Sequence, residues 1–389
     1  AGQMLSFIAD GLPPEAQAAL ASLQADVAPM APSLAEGVLV SELGDTPGRL
    51  FLAWSTEPVA AASIGQVHRA VLRDGREVAV KVQYPGVDRA ITSDLDNAEL
   101  LYSMFSAFAL KSLDVKALVD ELRVRMADEV DYRIEAHSQA DFADRYRDHP
   151  FMRVPEVVTA RSARRVLTSE WVDGQRWDEM LVASGPAARQ RVAEIIFRFA
   201  QGSVHRHRVF NGDPHPGNYR FGLDGSVTFL DFGLVKRWSP GELEQLVPIL
   251  DVLLEHDAEG TAAALVDAGF LRPQHGLDPG LVWDYVSGPY APYLVDRFTF
   301  TPEWTGATLA RLIDVGGPYG DVIRSLNMPP SFVILDRVVW GTSALLGRLG
   351  ASGPWRAILA EYRKGAAPVT ALGEEEEAWR RSRAGGRRP

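Results

Sequence analysis

Three short stretches of the sequence carry side chains whose types and spacing suit the binding of phosphate groups. Lys81 lies within residues 78–82 (Val-Ala-Val-Lys-Val), where the alternation of a strand places the valines on one face and Lys81 on the other. Asp213 is followed five residues later by Asn218, and Asp231 ends an apolar run just before Phe-Gly. A lysine binds phosphate oxygens, and carboxylate and amide oxygens bind Mg²⁺ together with phosphate. The three stretches therefore predict a site for a phosphate-bearing ligand and Mg²⁺.

Each stretch also has a simpler structural interpretation. Lysines in strands usually face water, and an acid before Phe-Gly is a common way to end a strand. Residues 213–218 (Asp-Pro-His-Pro-Gly-Asn) would then be no more than a rigid turn between helices. Their two prolines make the match more specific, because a fixed loop pre-organises the acid at its start. The order of the motifs is that of protein kinases, so the sequence favours phosphoryl-transfer chemistry. Asp213 would orient the attacking group, and Asn218 and Asp231 would hold the metal.

Lys81 should have an acidic partner on a helix, as the corresponding lysine of kinases does. The pattern predicts one long helix over residues 118–147, which contains both Glu129 and Glu135. The two side chains are six residues apart and project from different faces of a helix, so only one of them contacts Lys81 directly. We favour Glu129 as the residue that orients Lys81.

Two further segments are predicted to contact a nucleotide. Small residues stand where kinases place glycines above the phosphates: Ala60, Ala61, Ala62 and Ser63. The end of a predicted strand stands where kinases join their two lobes and bind adenine through the backbone: Glu170, Trp171 and Val172. Each alanine Cβ keeps the backbone away from the phosphates and restricts φ, so the alanine segment would be an altered lid.

The elements that would position these residues follow from turns and periodicity. Strands are predicted at 50–54, 63–73 and 77–83, and Asp74-Gly75 is a strong hairpin turn between the last two. Helical patterns precede these strands, and residues 165–172 form one further strand before a mostly helical second half. This order predicts an α+β fold with two lobes, and a cleft between lobes commonly binds ligands.

Composition excludes several classes of protein. The chain has 389 residues, of which 46% are hydrophobic, so it is long enough to bury a large core. Its net charge of −11 argues against binding nucleic acid, whose phosphates need a basic surface. The absence of cysteine excludes disulfides and thiolate metal sites. No apolar run reaches the roughly 20 residues that cross a bilayer. We therefore expect a cytoplasmic protein, attached at most to a membrane surface.

Four motifs resemble those of the UbiB family of atypical kinase-like proteins, also described as AarF-domain proteins. They are the alanine segment continued by Ile-Gly-Gln-Val-His (60–68), Glu-Val-Asp-Tyr (129–132), Asp-Pro-His-Pro-Gly-Asn (213–218) and Asp-Phe-Gly (231–233). The resemblance covers about residues 1–350. It implies a protein-kinase-like two-lobe fold, with an N-terminal helical extension and helical insertions, that binds ATP or ADP with Mg²⁺.

The resemblance also implies roles for particular residues. Lys81, oriented by Glu129, would hold the α- and β-phosphates, and alanines in place of glycines would disfavour phosphorylation of proteins. The family has an N-terminal Lys-x-Gly-Gln motif on a helix that enters the active site. Gly2 and Gln3 match its last two residues as regulatory positions, although the sequence begins just after the place of the lysine. The helix from Met4 onward is expected to cover the cleft.

These expectations divide the chain into four segments. They are an N-terminal helical extension covering the cleft (1–46), a β-rich first lobe with a long helix (47–172), a helical second lobe with the catalytic and metal loops (173–365), and a disordered charged tail (366–389). The disorder of the tail is expected because it has many charges and few apolar side chains.

The resemblance implies an ATP-dependent atypical kinase or ATPase that supports isoprenoid-quinone or related lipid metabolism. Its expected partners are a nucleotide, a quinone-precursor lipid or anionic membrane surface, and enzymes of lipid biosynthesis. Two alternatives stay open. The segment 211–213 (Asn-Gly-Asp) with Asn218 is similar to the loop of antibiotic phosphotransferases, which are small-molecule kinases. The other alternative is a nucleotide-gated scaffold without catalysis, although every catalytic position is filled.

Overall fold

The computed structural model describes residues 29–62, 64–89, 130–274, 276–327 and 330–386, with only the backbone described at residues 330, 331, 385 and 386. Strands and a few helices come before residue 173, and mostly helices come after it. The fold is therefore of the α+β class, as predicted. Within these ranges, no helix is both long enough and apolar enough to cross a membrane.

A five-stranded antiparallel sheet dominates the first part of the chain. Its strands are β1 (Ala53–Trp54), β2 (Ala60–Ala62), β3 (Gly65–Val71), β4 (Glu77–Gln83) and β6 (Val166–Glu170), whereas β5 (Met152–Arg153) joins a smaller sheet. The strand order is β1-β3-β4-β6, and β2 also pairs with β3. The turn at Asp74-Gly75 joins β3 to β4 as predicted, and Gly75 has a φ of 90°, which favours glycine. Lys81 lies on β4, opposite Val67 of β3 and Leu167 of β6.

The first helix, α1 (Pro32–Leu43), packs on the face of the sheet opposite Lys81. It begins at a proline, as predicted. Its buried Val38 and Leu39 share a core cluster with the alternating valines of β4, whose positions also agree with the prediction. This part of the N-terminal extension therefore does not cover the cleft, contrary to our expectation, because its apolar side chains bury the valine face instead. Residues 1–28 lie outside the described chain.

Among the residues that the structure describes, two further helices belong to the first part, α2 (Pro47–Leu50) and α3 (Tyr132–Arg145). The sequence predicted one helix over 118–147, but residues 130 and 131 are not helical. Asp131 has extended backbone, and its carboxylate accepts a hydrogen bond from the amide of Arg133 at 3.0 Å. This is an N-cap, which starts a new helix at Tyr132 because it satisfies an amide that would otherwise lack a partner.

The second part is largely helical and packs around α5. Its α-helices are α4 (Trp177–Ala183), α5 (Pro186–Gln201), α6 (Glu242–Leu254), α7 (Ala258–Asp267), α8 (Pro279–Ser287), α9 (Pro302–Ile313), α10 (Gly320–Ser325), α11 (Pro330–Leu349), α12 (Trp355–Arg363) and α13 (Ala371–Gly386). Its short strands are β7 (Val209–Asn211), β8 (Tyr219–Phe221), β9 (Val227–Phe229), β10 (Val235–Arg237), β11 (Phe298–Thr299) and β12 (Ser352–Gly353). The strands β7 to β10 flank the loops that carry the predicted catalytic and metal residues. Strand β5 pairs in parallel with β9 and so connects the two parts.

Residues 371–386 of the charged tail form the packed helix α13, although we predicted that residues 366–389 are disordered. Helix α13 covers the end of α5, where the side chain of Arg198 is fully buried. Arg198 donates to Glu361 of α12 at 2.8 Å and to Glu376 of α13 at 3.4 Å. Glu376 of the tail thus completes the shell of a buried arginine, an interaction that composition alone does not reveal.

A buried histidine lies under α13. The ring of His149 is 4.4 Å from that of Trp379, and its Nδ1 accepts a hydrogen bond from the amide of Met152 at 3.1 Å. Burial, together with the positive charges of His207 and Arg198, lowers the pKa of His149 to about 3. The imidazole is therefore neutral in the folded protein at neutral pH.

We expect acid to destabilise the protein partly through His149. In the unfolded chain its pKa returns to about 6.5, so below that pH the unfolded state binds a proton that the folded state does not. The free energy of unfolding then falls by about 1.4 kcal/mol per pH unit until the folded pKa is reached. Urea titrations at pH 7 and 4.5 should show that wild type loses about 2.5 kcal/mol more than His149→Asn, which keeps an acceptor for Met152. Equal losses in the two proteins would contradict the burial of this ring.

Candidate functional site

Lys81 is the centre of an ion-pair group between the two parts of the chain. Its Nζ donates to both carboxylate oxygens of Glu135, at 3.0 and 2.9 Å, and lies 3.5 Å from Oδ2 of Asp231. Nζ also lies 5.0 Å from the centre of the Tyr132 ring. Glu135 is in the first turn of α3, and Asp231 follows β9. One acid from each part of the chain therefore holds the lysine.

Burial and charge act in opposite directions within this group. Burial lowers the pKa of Lys81, but Asp231 and Glu135 outweigh it and hold that pKa well above its ordinary value. Burial raises the pKa of Asp231, yet Lys81 and the amide of Gly233 together leave it below its ordinary value. Glu135 differs, because burial and the charge of Asp231 raise its pKa despite the contact with Lys81. One ammonium between two carboxylates leaves an excess of negative charge, which suits a bound cation.

The acidic partner of Lys81 is Glu135, so our preference for Glu129 is wrong. Helix α3 starts at Tyr132, and Glu135 lies three residues later on the same face of that helix. Glu135 is only 6% exposed, whereas Glu129 precedes the N-cap and lies outside the described residues. Reading Asp131 as an N-cap would have placed Glu135 in the first turn from the sequence alone.

The contact between Lys81 and Glu135 predicts that the two residues are coupled in their effects on the free energy of unfolding. In a double-mutant cycle, Lys81→Met and Glu135→Gln should be non-additive in unfolding free energy by about 1 to 3 kcal/mol, because the two groups are in direct contact. Lys81→Met and Glu129→Gln serve as the matched pair and should be additive within about 0.5 kcal/mol. The energies come from urea unfolding of the four proteins of each cycle. A coupling seen only with Glu129 would restore the original assignment.

The carboxylate of Asp213 is held at both of its oxygens. Nδ2 of Asn218 donates to Oδ2 at 2.9 Å, and the guanidinium of Arg337 in α11 donates to Oδ1. Asn211 fixes the backbone, because its Oδ1 accepts from the amide of Asp213 at 2.8 Å. Its Nδ2 donates to the carbonyl oxygen of Asp231. Asn211 therefore joins the loops that carry the two predicted acids.

The other residues of the catalytic loop restrict its shape. A Cβ on Gly212 would come 2.5 Å from Cγ2 of Ile334, so α11 lies this close to the loop only because the residue is glycine. Nδ1 of His215 accepts from the amide of Gly217 at 3.1 Å, which leaves the ring hydrogen on Nε2. Burial lowers the pKa of His215, so the ring is a neutral hydrogen-bond donor beside Asp213.

The structure brings together four residues that the sequence predicted for the site: Lys81, Asp213, Asn218 and Asp231. Two further members, Asn211 and Arg337, were not predicted as site residues. The signal for Asn211 was its position two residues before Asp213, where an asparagine commonly accepts from a nearby backbone amide. No local signal identifies Arg337, because only the packing of α11 places it near the loop.

The oxygens of Asn218 and Asp231 fit the predicted Mg²⁺ site. The amide nitrogen of Asn218 faces Asp213, so its amide oxygen is left for another ligand. Oδ1 of Asp231 accepts one hydrogen bond, from the amide of Gly233 at 2.9 Å, and retains lone-pair capacity. In the described ranges, no three His, Cys, Asp or Glu side chains form a group that could hold a metal by themselves. Two oxygen ligands are enough for Mg²⁺ when phosphate oxygens and water complete the shell.

The alanine segment forms a short strand at an edge of the sheet that carries Lys81. Residues 60–62 are β2, which pairs with β3 so that Ala62 lies opposite Gly65. A Cβ on Gly65 would come 2.3 Å from the carbonyl oxygen of Val82, so this position admits only glycine. Ser63, which we also predicted to contact the nucleotide, lies outside the described residues.

Two of the three amides predicted to bind adenine are already used within the chain. The amide of Glu170 donates to the carbonyl of Glu156 at 2.9 Å, and that of Trp171 donates to the carbonyl of Glu77 at 3.0 Å. Strand β6 has neighbours on both sides, and pairing with them takes up these donors. The amide of Val172 donates no backbone hydrogen bond to any described residue. Of the three amides, it is therefore the one that a ligand could accept from.

A buried lysine–glutamate pair beside Asp-x-x-x-x-Asn and Asp-Phe-Gly defines a protein-kinase-like fold. The chain belongs to the ABC1 atypical kinase-like family, whose domain matches residues 22–265. This confirms the family resemblance found in the motifs. The predicted regulatory residues Gly2 and Gln3 lie outside the described residues.

Relatives and a solved structure agree with this assignment. The Arabidopsis thaliana protein ACTIVITY OF BC1 COMPLEX KINASE 1, chloroplastic, is 32% identical over 283 residues, which cover 72% of this chain and 42% of that protein. An uncharacterized aarF domain-containing protein kinase of the same plant is 32% identical over 272 residues, which cover 70% of this chain and 38% of that protein. The chain thus spans less than half the length of these two relatives. Rv3197 from Mycobacterium tuberculosis, solved in complex with erythromycin, has a TM-score of 0.72 and 30% identity, covering 93% of this chain and 90% of that one.

Proposed function

We propose that this protein binds ATP or ADP with Mg²⁺ and hydrolyses ATP slowly. The observation that carries the proposal is the ion-pair group, in which Lys81 is held between Glu135 and Asp231. The raised pKa of Lys81 keeps the ammonium charged where a phosphate would bind. Asp213 and Asn218 are fixed to each other on the neighbouring loop, as phosphoryl transfer requires.

In this proposal each residue has one task. Lys81, oriented by Glu135, binds oxygens of the α- and β-phosphates. Asn218 and Asp231 hold Mg²⁺, which would neutralise phosphate charge when bound. Asp213 orients a water molecule toward the γ-phosphorus and accepts its proton. The new oxygen–phosphorus bond forms as the bond to the β–γ bridging oxygen breaks, and ADP and inorganic phosphate leave.

The alanine segment is the reason to expect slow turnover and poor phosphorylation of proteins. A glycine hairpin allows its amides to approach the phosphates closely, whereas the Cβ atoms of residues 60–62 hold this backbone back. The extended pairing of β2 with β3 also leaves these residues in strand geometry rather than in a loop that wraps around a ligand. The expected consequence is weaker stabilisation of the transferring phosphoryl group.

We assign this activity to isoprenoid-quinone or related lipid metabolism at a membrane surface, on the support of the family resemblance. ATP hydrolysis would then drive a conformational cycle, in which the bound nucleotide changes the affinity for a quinone precursor or an anionic bilayer. Enzymes of lipid biosynthesis are the proposed protein partners.

The test is phosphate release from MgATP with and without effectors. The effectors are vesicles of phosphatidylcholine with an anionic lipid, vesicles of phosphatidylcholine alone, and a soluble phenol that mimics a quinone precursor. We expect slow basal release that rises with the anionic vesicles or the phenol, and release that is at least about 100-fold slower from Asp213→Asn. Binding of MgATP without any release would favour a nucleotide-gated scaffold. Flat rates together with efficient phosphorylation of an added protein would contradict the proposal.

A small-molecule kinase is the second candidate, and the structure of Rv3197 with erythromycin favours it. In that reaction a hydroxyl oxygen of the acceptor attacks the γ-phosphorus, Asp213 accepts the hydroxyl proton, and ADP leaves. Incubation with erythromycin and MgATP, followed by mass spectrometry, tests it directly. Addition of one phosphoryl group to the macrolide would establish this candidate, whereas an unmodified macrolide alongside released phosphate supports the ATPase.

A further inference from the structure

We infer that Arg337 is the positioning residue of Asp213 and makes helix α11 part of the catalytic apparatus. This inference rests on the proposed ATP hydrolysis. Arg337 lies 124 residues after Asp213, and its guanidinium donates to Oδ1 of that acid. The side chains of Arg337 and Asp213 are 20% and 7% exposed, so the contact is largely shielded from water.

The two donors on Asp213 define the plane of its carboxylate. The terminal torsion of an aspartate is broad, so a single hydrogen bond leaves the carboxylate free to tilt. Asn218 binds Oδ2 and Arg337 binds Oδ1, and together they fix both oxygens. Each oxygen still has lone-pair capacity, with which it can accept the proton of the attacking water. A shift of about 1 Å in such a group lowers a rate by about 100-fold, so this second anchor matters for turnover.

Close packing sets the distance between α11 and the catalytic loop. Ile334 fills the space where Gly212 has no side chain, at 2.5 Å from the position of a Cβ. Ile334 and Arg337 are three residues apart and therefore lie on one face of α11. The contact of Ile334 with Gly212 holds α11 against the loop, and Arg337 couples the position of that helix to the carboxylate of Asp213.

The experiment compares turnover with nucleotide affinity. We expect Arg337→Gln to lower kcat for ATP hydrolysis about 10- to 100-fold and to change KM for MgATP by less than about 3-fold, because in this inference Arg337 acts on turnover through Asp213. Arg337→Lys should recover part of the loss, because lysine restores the charge but not the planar fork. Arg348→Gln is the control on the same helix. Arg348 lies 3.9 Å from Asp178 with 43% of its side chain exposed, and we expect wild-type turnover from this variant.

Combination with Asp213→Asn separates positioning from general damage. If Arg337 acts through Asp213, Arg337→Gln causes no further loss in the Asp213→Asn background, whereas independent effects multiply. Multiplying losses, or an unchanged kcat in Arg337→Gln, would overturn the inference and leave the proposed function standing. Failure of the wild type to hydrolyse ATP would overturn the proposed hydrolysis and this inference with it.

Discussion

Replacing Asp213 with asparagine will lower the rate of ATP hydrolysis by about two to four orders of magnitude and leave the affinity for MgADP nearly unchanged. An amide does not accept the proton of the attacking water, so the variant lacks the proposed base. Asp213 contacts Asn218 and Arg337, whereas Lys81 and Asp231 remain in place for the nucleotide. Phosphate release at saturating MgATP measures the rate, and calorimetric titration of MgADP measures the affinity.

The structure also identifies the control that this experiment needs. Asn218 and Arg337 both donate to Asp213, so an asparagine amide nitrogen would face one donor and loosen the loop locally. Thermal unfolding must therefore show that Asp213→Asn is folded. Asp224→Asn is the matched change at a surface turn, where the side chain is 53% exposed and pairs with Arg153. Hydrolysis at the wild-type rate by Asp213→Asn would remove this acid from the mechanism.

Asp231→Asn will abolish the Mg²⁺-dependent stabilisation of the protein by nucleotide. A ligand at a hundredfold excess over its dissociation constant stabilises the folded state by about 2.7 kcal/mol, which is a large shift in a thermal scan. The variant removes the carboxylate proposed to hold Mg²⁺ but keeps Glu135 as the counter-ion of Lys81. The unliganded variant should therefore remain folded while the nucleotide-induced shift in Tm disappears.

Removing Mg²⁺ from the wild type tests the same protein–metal contact as the Asp231→Asn substitution. Wild type in EDTA should resemble Asp231→Asn in Mg²⁺, because both lack the same link between protein and phosphate. Glu135→Gln in Mg²⁺ should keep part of the shift, because it weakens the orientation of Lys81 without touching the metal ligands. A nucleotide-induced shift of wild-type size in Asp231→Asn would show that the metal, if bound, is held elsewhere.

Local signals in the sequence were enough to predict much of the first part and of the site. The alternation around Lys81 separates the valine face of β4 from the face that carries the lysine. The Asp74-Gly75 turn predicts the hairpin that follows. Asp213 and Asn218 lie on one short loop, so their contact can be predicted without knowing how distant segments pack.

The wrong predictions depended on contacts between distant segments. Whether Glu129 or Glu135 contacts Lys81 depends on where α3 begins, and this start is set by the N-cap Asp131, which lies inside the helix that we predicted over residues 118–147. The order of the tail depends on Arg198, buried more than 160 residues earlier, whose charge the acids of α12 and α13 balance. The contact of Arg337 with Asp213 arises only when α11 packs against Gly212. The Asp131 N-cap is a local signal for the first of these contacts, whereas the contacts of Arg198 and Arg337 have no local pattern.

Calorimetric titration of ATP will decide whether this cleft is a Mg²⁺–nucleotide site; the wild type is titrated with Mg²⁺ and with EDTA, and Lys81→Met is titrated with Mg²⁺. We expect saturable one-to-one binding to the wild type in Mg²⁺ and at least about tenfold weaker binding when either the metal or the lysine charge is removed. Absence of ATP binding in Mg²⁺, or equal affinities under all three conditions, would contradict the assignment of this cleft as a Mg²⁺–nucleotide site.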